Sequence, residues 1–435
     1  MNTKTKFRSS SSTRLFCVLI LFFLLTSFVY ADTSKIYLFK IDGVIGPPMA
    51  DYLIRNIEIA EENNAAAILL EINTPGGLSV SMRSIVSEIM RTPIPVIGYV
   101  TPEGAHAASA GAIIMLACDI AAMTPTSSIG AAHPVNMGGK IDSTMEKKVI
   151  NDMVSYVRSL AEKKDRNADI AAEMVIESIS LTAKEAKKEN IIEYVAKSRD
   201  DLFEQINGLE ISKGDEIFIL QTKDAIIVKR EMNFIERFLF HISNPNIAYI
   251  LLMLGIYGII AEFSNPGIGF AGVFGTISLL IAFFALSNLP INIVGILLII
   301  AGIILIILEI KVQSSGILGI GGVVATILGS MMLINSNAPF LQISISLIIG
   351  VGIFSLLFFI LLFTLVLKVY KKHVTTGREG EIGEIGYALT ELNPQGNVFV
   401  RGEIWSAESL DGNIEKNAKI KVIKFVRMKL FVEKE

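Results

Sequence analysis

Ser109 stands in Gly104-Ala105-His106-Ala107-Ala108-Ser109-Ala110-Gly111, directly before the apolar run Ala112-Ile113-Ile114-Met115-Leu116-Ala117. Small neighbours let another backbone approach its hydroxyl. A serine that opens a helix also sees backbone N–H groups and the positive end of the helix dipole, which favour a developing oxyanion. Upstream, Thr74-Pro75-Gly76-Gly77-Leu78 follows the strand-like run Ala67-Ile68-Leu69-Leu70-Glu71-Ile72. Glycines just past a strand can turn main-chain N–H groups toward a bound carbonyl. Downstream lie His133 and, opening a helical stretch, Lys148. Taken together these are a nucleophile, two sources of oxyanion donors and a choice of base, the parts needed for acyl transfer. Each part also has a plainer reading: a tightly packed helix, a turn, a solvated charge. Order and spacing favour the chemical one.

The elements that position these residues follow from periodicity. Strand-like Ile36-Tyr37-Leu38-Phe39-Lys40-Ile41, Pro95-Val96-Ile97-Gly98-Tyr99-Val100 and Ile120-Ala121-Ala122-Met123 alternate with helical Met49–Asn64 and Ser79–Arg91. Alternation of this kind predicts an α/β domain with largely parallel strands over residues 32–230. Residues 184–205 read as surface helix and linker, and Pro134–Glu146, rich in Gly, Ser and Asn, as a loop.

Composition places the rest. A length of 435 residues exceeds one ordinary domain, and 51% hydrophobic content with a mean hydropathy of +0.55 points to membrane segments. Residues 1–31 read as a signal peptide: Lys4, Lys6, Arg8 and Arg14 precede an apolar Leu15–Tyr30, and Val29-Tyr30-Ala31 offers a cleavage site. Five apolar segments follow at 246–263, 268–287, 290–310, 315–334 and 343–369, each near the length a span requires. An outside start places the C-terminus inside. Lys311, Lys368, Lys371 and Lys372 agree with that orientation, whereas Arg230 and Arg237, before the first span, run against it. Glycines 316, 319, 321, 322 and 329 allow close helix contact in the fourth segment, and Glu309 is read as interfacial. Residues 376–435 return to soluble composition, with alternating runs that suit a small β-barrel. Trp405 is the chain's only tryptophan, and a net charge of −3 argues against nucleic acid as a partner. Of the two cysteines, Cys17 falls in the leader and Cys118 in an apolar run, so no disulfide framework is expected. Histidine spacing supplies no metal set, and no glycine motif implies a nucleotide, so no cofactor is expected.

Read as an ordered set, Thr74–Gly77, Gly104–Gly111, Ser128-Ile129-Gly130-Ala131, Leu181-Thr182-Ala183-Lys184-Glu185-Ala186, Glu262-Phe263-Ser264-Asn265-Pro266-Gly267 and Gly402-Glu403-Ile404-Trp405-Ser406-Ala407 resemble the NfeD family of membrane-anchored serine proteases. The resemblance implies an α/β Clp/crotonase-like protease domain, then an all-α transmembrane bundle and a small all-β OB-fold domain. It implies Lys148, on a helix resembling the family's catalytic segment, as general base to Ser109, with Lys147 one register away. Backbone N–H groups of Gly77 and Ala110 would hold the oxyanion. An amine works as a base near neutral pH only if its pKa falls well below about 10.4, which burial achieves. His133 is the rival base, near where soluble Clp proteases place a histidine. Their orienting aspartate falls at Ser178 here, with Glu177 adjacent. His106 and Asp119 are read as non-catalytic, and Asn417 stands where the family suggests glycine. The expected function is a Ser-Lys endopeptidase cutting apolar segments of stomatin/SPFH-type membrane proteins. The alternative is a non-catalytic membrane scaffold for the same partners. A multi-pass cell-membrane protein with an extracytoplasmic protease domain, a cytoplasmic C-terminal domain and at least a dimeric state completes the expectation.

Overall fold

A computed structural model describes residues 34–135, 142–214, 216–264, 269–287, 289–312, 316–336, 338, 341–370 and 378–435. The leader with Cys17, part of the Pro134–Glu146 segment and the Lys371–Lys372 pair lie outside them. The elements run β1 Lys35–Asp42, α1 Pro47–Glu62, β2 Ala67–Asn73, α2 Ser79–Arg91, β3 Val96–Val100, β4 His106–Ala108, α3 Ala110–Ala117, β5 Ile120–Met123 and β6 Ser128–Gly130. Then come α4 Ser143–Lys163, α5 Ala168–Ile176, β7 Ser180–Thr182, α6 Ala183–Lys188, β8 Tyr194–Val195, α7 Arg199–Ile206, β9 Glu210–Lys213, β10 Glu216–Ile219, β11 Ile226–Lys229 and α8 Phe234–Ile242. Two compact units result. One takes in the chain to Leu297 with Gly329–Ile348, the other Leu298–Leu328 with Ile349–Glu435.

The first unit is built on a six-stranded parallel sheet in the order β11-β1-β2-β3-β5-β8. Its strands are buried on both faces, so they read as apolar runs. In β1 the two-residue period sends Tyr37, Phe39 and Ile41 into a core covered by α1 to α5, and Ile36 and Leu38 into a second core. That second core is closed by Leu202, Phe203 and Ile206 of α7 with Ile211 and Leu220. The segment read as surface helix and linker therefore contributes a buried face. Its charge count hides three apolar residues at helical spacing. Ile226–Lys229 extends the sheet at the β1 edge, a long-range pairing that local pattern cannot announce.

After each of several strands the chain steps sideways into a smaller layer. Ile45 bridges Gly77, Thr74 bridges Ala107, and β4, β6 and β7 make a three-stranded sheet. Strand, short second strand, then helix is repeated along the chain, which is the ββα spiral expected from the resemblance. The spiral puts the ends of β2, β4 and β6 side by side.

The apolar segments form helices α9 Pro245–Ser264, α10 Phe270–Leu286, α11 Ile293–Val312, α12 Ile317–Met332 and α13 Ile345–Tyr370. Among the described residues one, Pro245–Phe263, is long and apolar enough by itself to cross a membrane, and four shorter apolar helices accompany it. A hairpin occurs twice. In the first, Gly255 and Gly258 bring α9 against Gly275 of α10, while the Glu262 carboxylate accepts from Gly269 N and Gly272 N, both at 3.2 Å. In the second, Gly302 of α11 meets Gly322 of α12, while Glu309 accepts from Gly316 N at 2.8 Å, Leu318 N at 3.0 Å and Gly319 N at 3.2 Å. Gly302, Glu309, Gly316, Gly319 and Gly322 each fall 47 residues after Gly255, Glu262, Gly269, Gly272 and Gly275, respectively. Glu309 is thus buried rather than interfacial. Three N–H groups at a helix start compensate a carboxylate that would otherwise be costly there.

In the second unit β12 Ile385–Ala388, β13 Gln395–Val400, β14 Glu403–Ser409, β15 Lys419–Val426 and β16 Lys429–Lys434 close a barrel in the order β12-β13-β14-β16-β15. Val398, Val400, Ala407, Ile420, Val422, Leu430 and Val432 fill it, and this five-stranded closed arrangement is that of an OB-fold. Trp405 packs edge-on against Phe425 with ring centroids 5.3 Å apart. Asn417 has φ +70°, the left-handed region that glycine enters freely and asparagine tolerates, so the turn survives the departure.

Asp119 belongs to a buried ion cluster. Its carboxylate, with the side chain 2% exposed, meets Lys164 Nζ and, at 2.7 Å, Lys213 Nζ. It also accepts from Val96 N at 2.8 Å. Burial pushes the Asp119 carboxyl up, but the two ammonium groups outweigh this and hold it below its ordinary value. A depressed carboxylate stabilises the fold above its unfolded pKa of about 3.9, and that contribution is lost as pH falls through the lower folded value. Asp119→Asn leaves two buried cations facing a neutral amide. It is expected to cost about 3 kcal/mol and to lower the unfolding temperature of the full chain in detergent. An unchanged transition would show that the cluster holds nothing together.

Candidate active site

Ser109 is the residue that caps α3, with φ +53° and ψ −116°, a conformation rare for a residue with a side chain. Its N–H donates to the Gly130 carbonyl at 2.8 Å, continuing the β4–β6 pairing. The bend turns its side chain out of the strand while Ala110–Ala117 descends into the core, every residue of that helix buried. Ser109 itself is half-buried.

Three close approaches hold it there. A Cβ at Gly76, where φ is +117°, would lie 2.7 Å from Ser109 Cβ and 3.2 Å from its Oγ. One at Gly111 would lie 2.4 Å from Thr74 Cγ2, and one at Gly130 would lie 2.2 Å from the Ile179 carbonyl oxygen. Thr74 is fully buried. Its N–H donates to His106 O at 2.7 Å, its carbonyl accepts from Ala108 N at 3.0 Å, and its Oγ1 accepts from Gly76 N at 3.1 Å. The turn after β2 is therefore tied to β4 on one side. On the other, Ile45 N donates to Gly76 O at 2.9 Å and Leu78 N to Ile45 O at 2.8 Å.

That pairing accounts for the N–H groups around Gly77 but not its own. Among the described residues neither Gly77 N–H nor Ala110 N–H donates to any acceptor. Unsatisfied N–H groups on both sides of a hydroxyl are the arrangement that stabilises an oxyanion.

The two candidate bases differ. His133 Nδ1 lies 2.7 Å from the Val175 carbonyl, so that nitrogen carries the proton. A main-chain carbonyl thus takes the place of the orienting carboxylate. Glu177 and Ser178 are exposed, and among the described residues no hydrogen bond or ion pair joins either to His133. Lys148 is on α4, whose buried residues Met153, Val157, Leu160 and Ala161 lie in its later turns, and no ion pair or hydrogen bond reaches it among the described residues. Helix starts at Ser143, earlier than the loop reading of Pro134–Glu146 allowed, so the first turns of α4 project from the body exposed. Sequence reasoning missed Arg83 of α2, which bonds Asp152 and covers the Tyr156 ring at 4.4 Å. Asp152 and Tyr156 follow Lys148 at helical spacing along one side of α4. His106 lies in β4 and is half-buried. Cys118 is buried with Sγ 3.3 Å from Ile114 O, and burial pushes its thiol up to about 12. Among the described residues no cluster of side chains could hold a metal ion.

A ββα-spiral domain with a strained, half-buried serine packed against the Gly76 turn, joined to apolar helices and a closed five-stranded barrel, defines a membrane-bound protein of the Clp/crotonase-like class. The NfeD1b N-terminal domain matches residues 35–218, the NfeD integral membrane domain 246–365, and the NfeD-like C-terminal, partner-binding domain 378–434. This chain is a member of the NfeD family. It is 36% identical over 412 residues to the membrane-bound protease PH1510 of Pyrococcus horikoshii, covering 92% of this chain and 93% of that one. Two solved structures are also similar. A lysine-to-alanine variant of the 1510-N membrane-bound stomatin-specific protease, in complex with a substrate peptide, is 34% identical over 48% of this chain and 98% of its own, with a TM-score of 0.45. A serine-to-alanine variant is 35% identical over 46% and 99%, with a TM-score of 0.44.

Gly76→Ala should push Ser109 out of place and lower peptide cleavage about a hundredfold, the cost of a misplacement near 1 Å, with the circular dichroism unchanged. Cleavage at the parental rate would show that the Gly76 contact does not position the hydroxyl. Cys118, held neutral, is expected to resist iodoacetamide in the folded chain. Rapid labelling before unfolding would contradict its burial.

Proposed function

We propose that this chain is a membrane-bound serine endopeptidase in which Ser109 attacks the scissile carbonyl and Lys148 is the general base. Lys148 Nζ takes the hydroxyl proton as Ser109 Oγ bonds to the carbonyl carbon. The Gly77 and Ala110 N–H groups hold the tetrahedral oxyanion. The ammonium then protonates the leaving amine as the C–N bond breaks, and a water activated by the same amine hydrolyses the acyl-enzyme. The observation that carries this reading is the strained serine packed against Gly76, with the N–H groups of the next residue after each, Ala110 and Gly77, unpartnered among the described residues. The variants made in the 1510-N protease change the same two residue types.

Lys148 is exposed here, so the reading requires the first turns of α4 to close over bound peptide and desolvate the amine. Exposed Met145 and Val149, beside it, would then gain a covering surface. A second copy of the chain in at least a dimer is part of the same proposal. The exposure of Lys148 is also what favours the alternative, a scaffold that binds peptide without cutting it.

The substrate class we infer is an apolar segment of a stomatin/SPFH-type protein. A cavity of about 240 Å³ is lined by Val44, Pro47 and Leu78, next to the Gly77 turn, and by Pro245 at the start of α9 with Leu289 and Leu341 from segments between membrane helices, which would give an apolar peptide a place to rest beside the site. Peptide added as a strand along Gly77–Leu78 would present its carbonyl to the free N–H groups. For the partner, Tyr387, Phe399 and Ile404 lie directly opposite one another on three adjacent barrel strands and are all exposed. Five crossings, with the protease domain outside the cytoplasm and the barrel inside, complete the proposal.

In the full chain, Ser109→Ala and Lys148→Ala should each lower cleavage of an apolar peptide about a thousandfold or more, and His133→Ala should leave most activity. Parental turnover by Ser109→Ala removes the protease reading. A loss confined to His133→Ala moves the base to that residue. No cleavage by the parent, with peptide still bound, supports the scaffold.

A further inference from the structure

Arg230 and Arg237 precede the first membrane helix and, in the orientation proposed above, lie on the side where the positive-inside rule disfavours them. The fold brings both to the wall of one cavity, of about 410 Å³, that also takes in Lys40 and Lys229. Its other charged residues are Asp42 and Glu231, so cations outnumber carboxylates two to one. The cations are weakly engaged. Lys40 stands 3.7 Å from a Glu71 carboxylate that Arg199 also bonds, and Arg237 pairs with Glu231 between two exposed side chains. Arg230 Nε is buried without an acceptor among the described residues. A buried guanidinium N–H left unpaired is costly, and an anion in the cavity would relieve it.

The wall is built to hold its shape. Tyr52, fully buried, donates its hydroxyl to Arg230 O at 2.7 Å and accepts from Lys40 N at 3.3 Å. Arg230 N donates to Leu38 O at 3.0 Å, where β11 ends against β1. On the other side α8 is clamped to α1, Arg55 Nε and Nη2 bonding Glu236 Oε1 and Oε2 at 2.7 and 2.8 Å. That clamp turns Phe234 and Ile235 outward, 85% and 67% exposed, with Phe238 also exposed. Only Ser243 and Asn244 separate the end of α8 from the start of α9 of the membrane domain. Phe240 and His241 line both this cavity and the one bordered by Pro245, Leu289 and Leu341. A cationic cavity beside outward aromatic side chains, at the foot of a membrane helix, has the chemistry of the headgroup layer.

We propose that this cavity binds the phosphate-bearing headgroup of an anionic phospholipid, with Arg230, Lys229, Lys40 and Arg237 around the phosphate and the Phe234–Ile235–Phe238 edge of α8 among the acyl chains. The lipid would fix the distance and tilt of the α/β domain over the bilayer. This inference rests on membrane attachment and is independent of the catalytic reading.

The test uses the full chain in neutral detergent, titrated with dioctanoyl phosphatidylglycerol, dioctanoyl phosphatidylcholine and inorganic phosphate, with binding read by native mass spectrometry. Phosphatidylglycerol should bind in preference to the other two. Arg230→Gln and the exposed-site variant Lys229→Gln should each weaken it about fivefold, with circular dichroism unchanged. Equal binding of phosphatidylcholine, full displacement by an equal concentration of phosphate, or parental phosphatidylglycerol binding in both variants would overturn the proposal. Because the readout is binding, a chain that cleaves nothing still decides it.

Discussion

Two backbones pass so closely at Gly76 and Ser109 that no side chain fits on one of them, and the rest of the site follows from that approach. The contact requires a glycine with positive φ on the β2 turn and a serine with positive φ opposite it. Glycine enters its conformation freely, whereas the serine's is strained alone. The Gly130 carbonyl, the buried Thr74 and the Ile45 bridge over-determine both, and Gly111 and Gly130 clear the space for Thr74 and for the Ile179 carbonyl. Strain at the serine is thus held by hydrogen bonds made on three separate turns of the spiral.

Ser109 and the N–H groups proposed as oxyanion donors sit on this rigid frame, while Lys148, the proposed base, does not. Lys148 is carried by the exposed start of a helix anchored farther along, where Met153 and Val157 are buried and Arg83 covers Tyr156. Arg83 belongs to α2, the helix that follows the Gly76–Leu78 turn. The same short stretch of chain therefore borders Gly77 and steadies the helix that carries Lys148. Dividing a site between a fixed half and an unpacked half suits a reaction that begins only when substrate excludes water.

The membrane part uses a different economy of contacts. In each of its two helical hairpins glycines let the backbones touch, and a glutamate at the end of one helix caps the start of the next. In an apolar surround, a carboxylate is tolerable where several N–H groups converge on it. The repeat is present in the residue order, yet composition alone presents the region as uninterrupted apolar sequence. Glu309 reads as interfacial until its partners are seen.

The sequence by itself determined the alternation of the main strands and helices, the apolar helices, the small barrel and the setting of Ser109 among small residues and glycines. Those rest on periodicity and on residue types with few alternative uses, and Ser79–Arg91 and Ile120–Met123 match the observed elements end to end. Only the tertiary structure decided which N–H groups lack acceptors, because that depends on the Ile45–Gly77 bridge between residues far apart in the chain. It alone showed that a carbonyl rather than a carboxylate holds His133, and that charged Arg199–Ile206 covers a core. It alone gathered Lys40, Lys229, Arg230 and Arg237 around one cavity. Local pattern records what each segment prefers, whereas pairing, burial and the loss of a hydrogen-bond partner are properties of segments brought together.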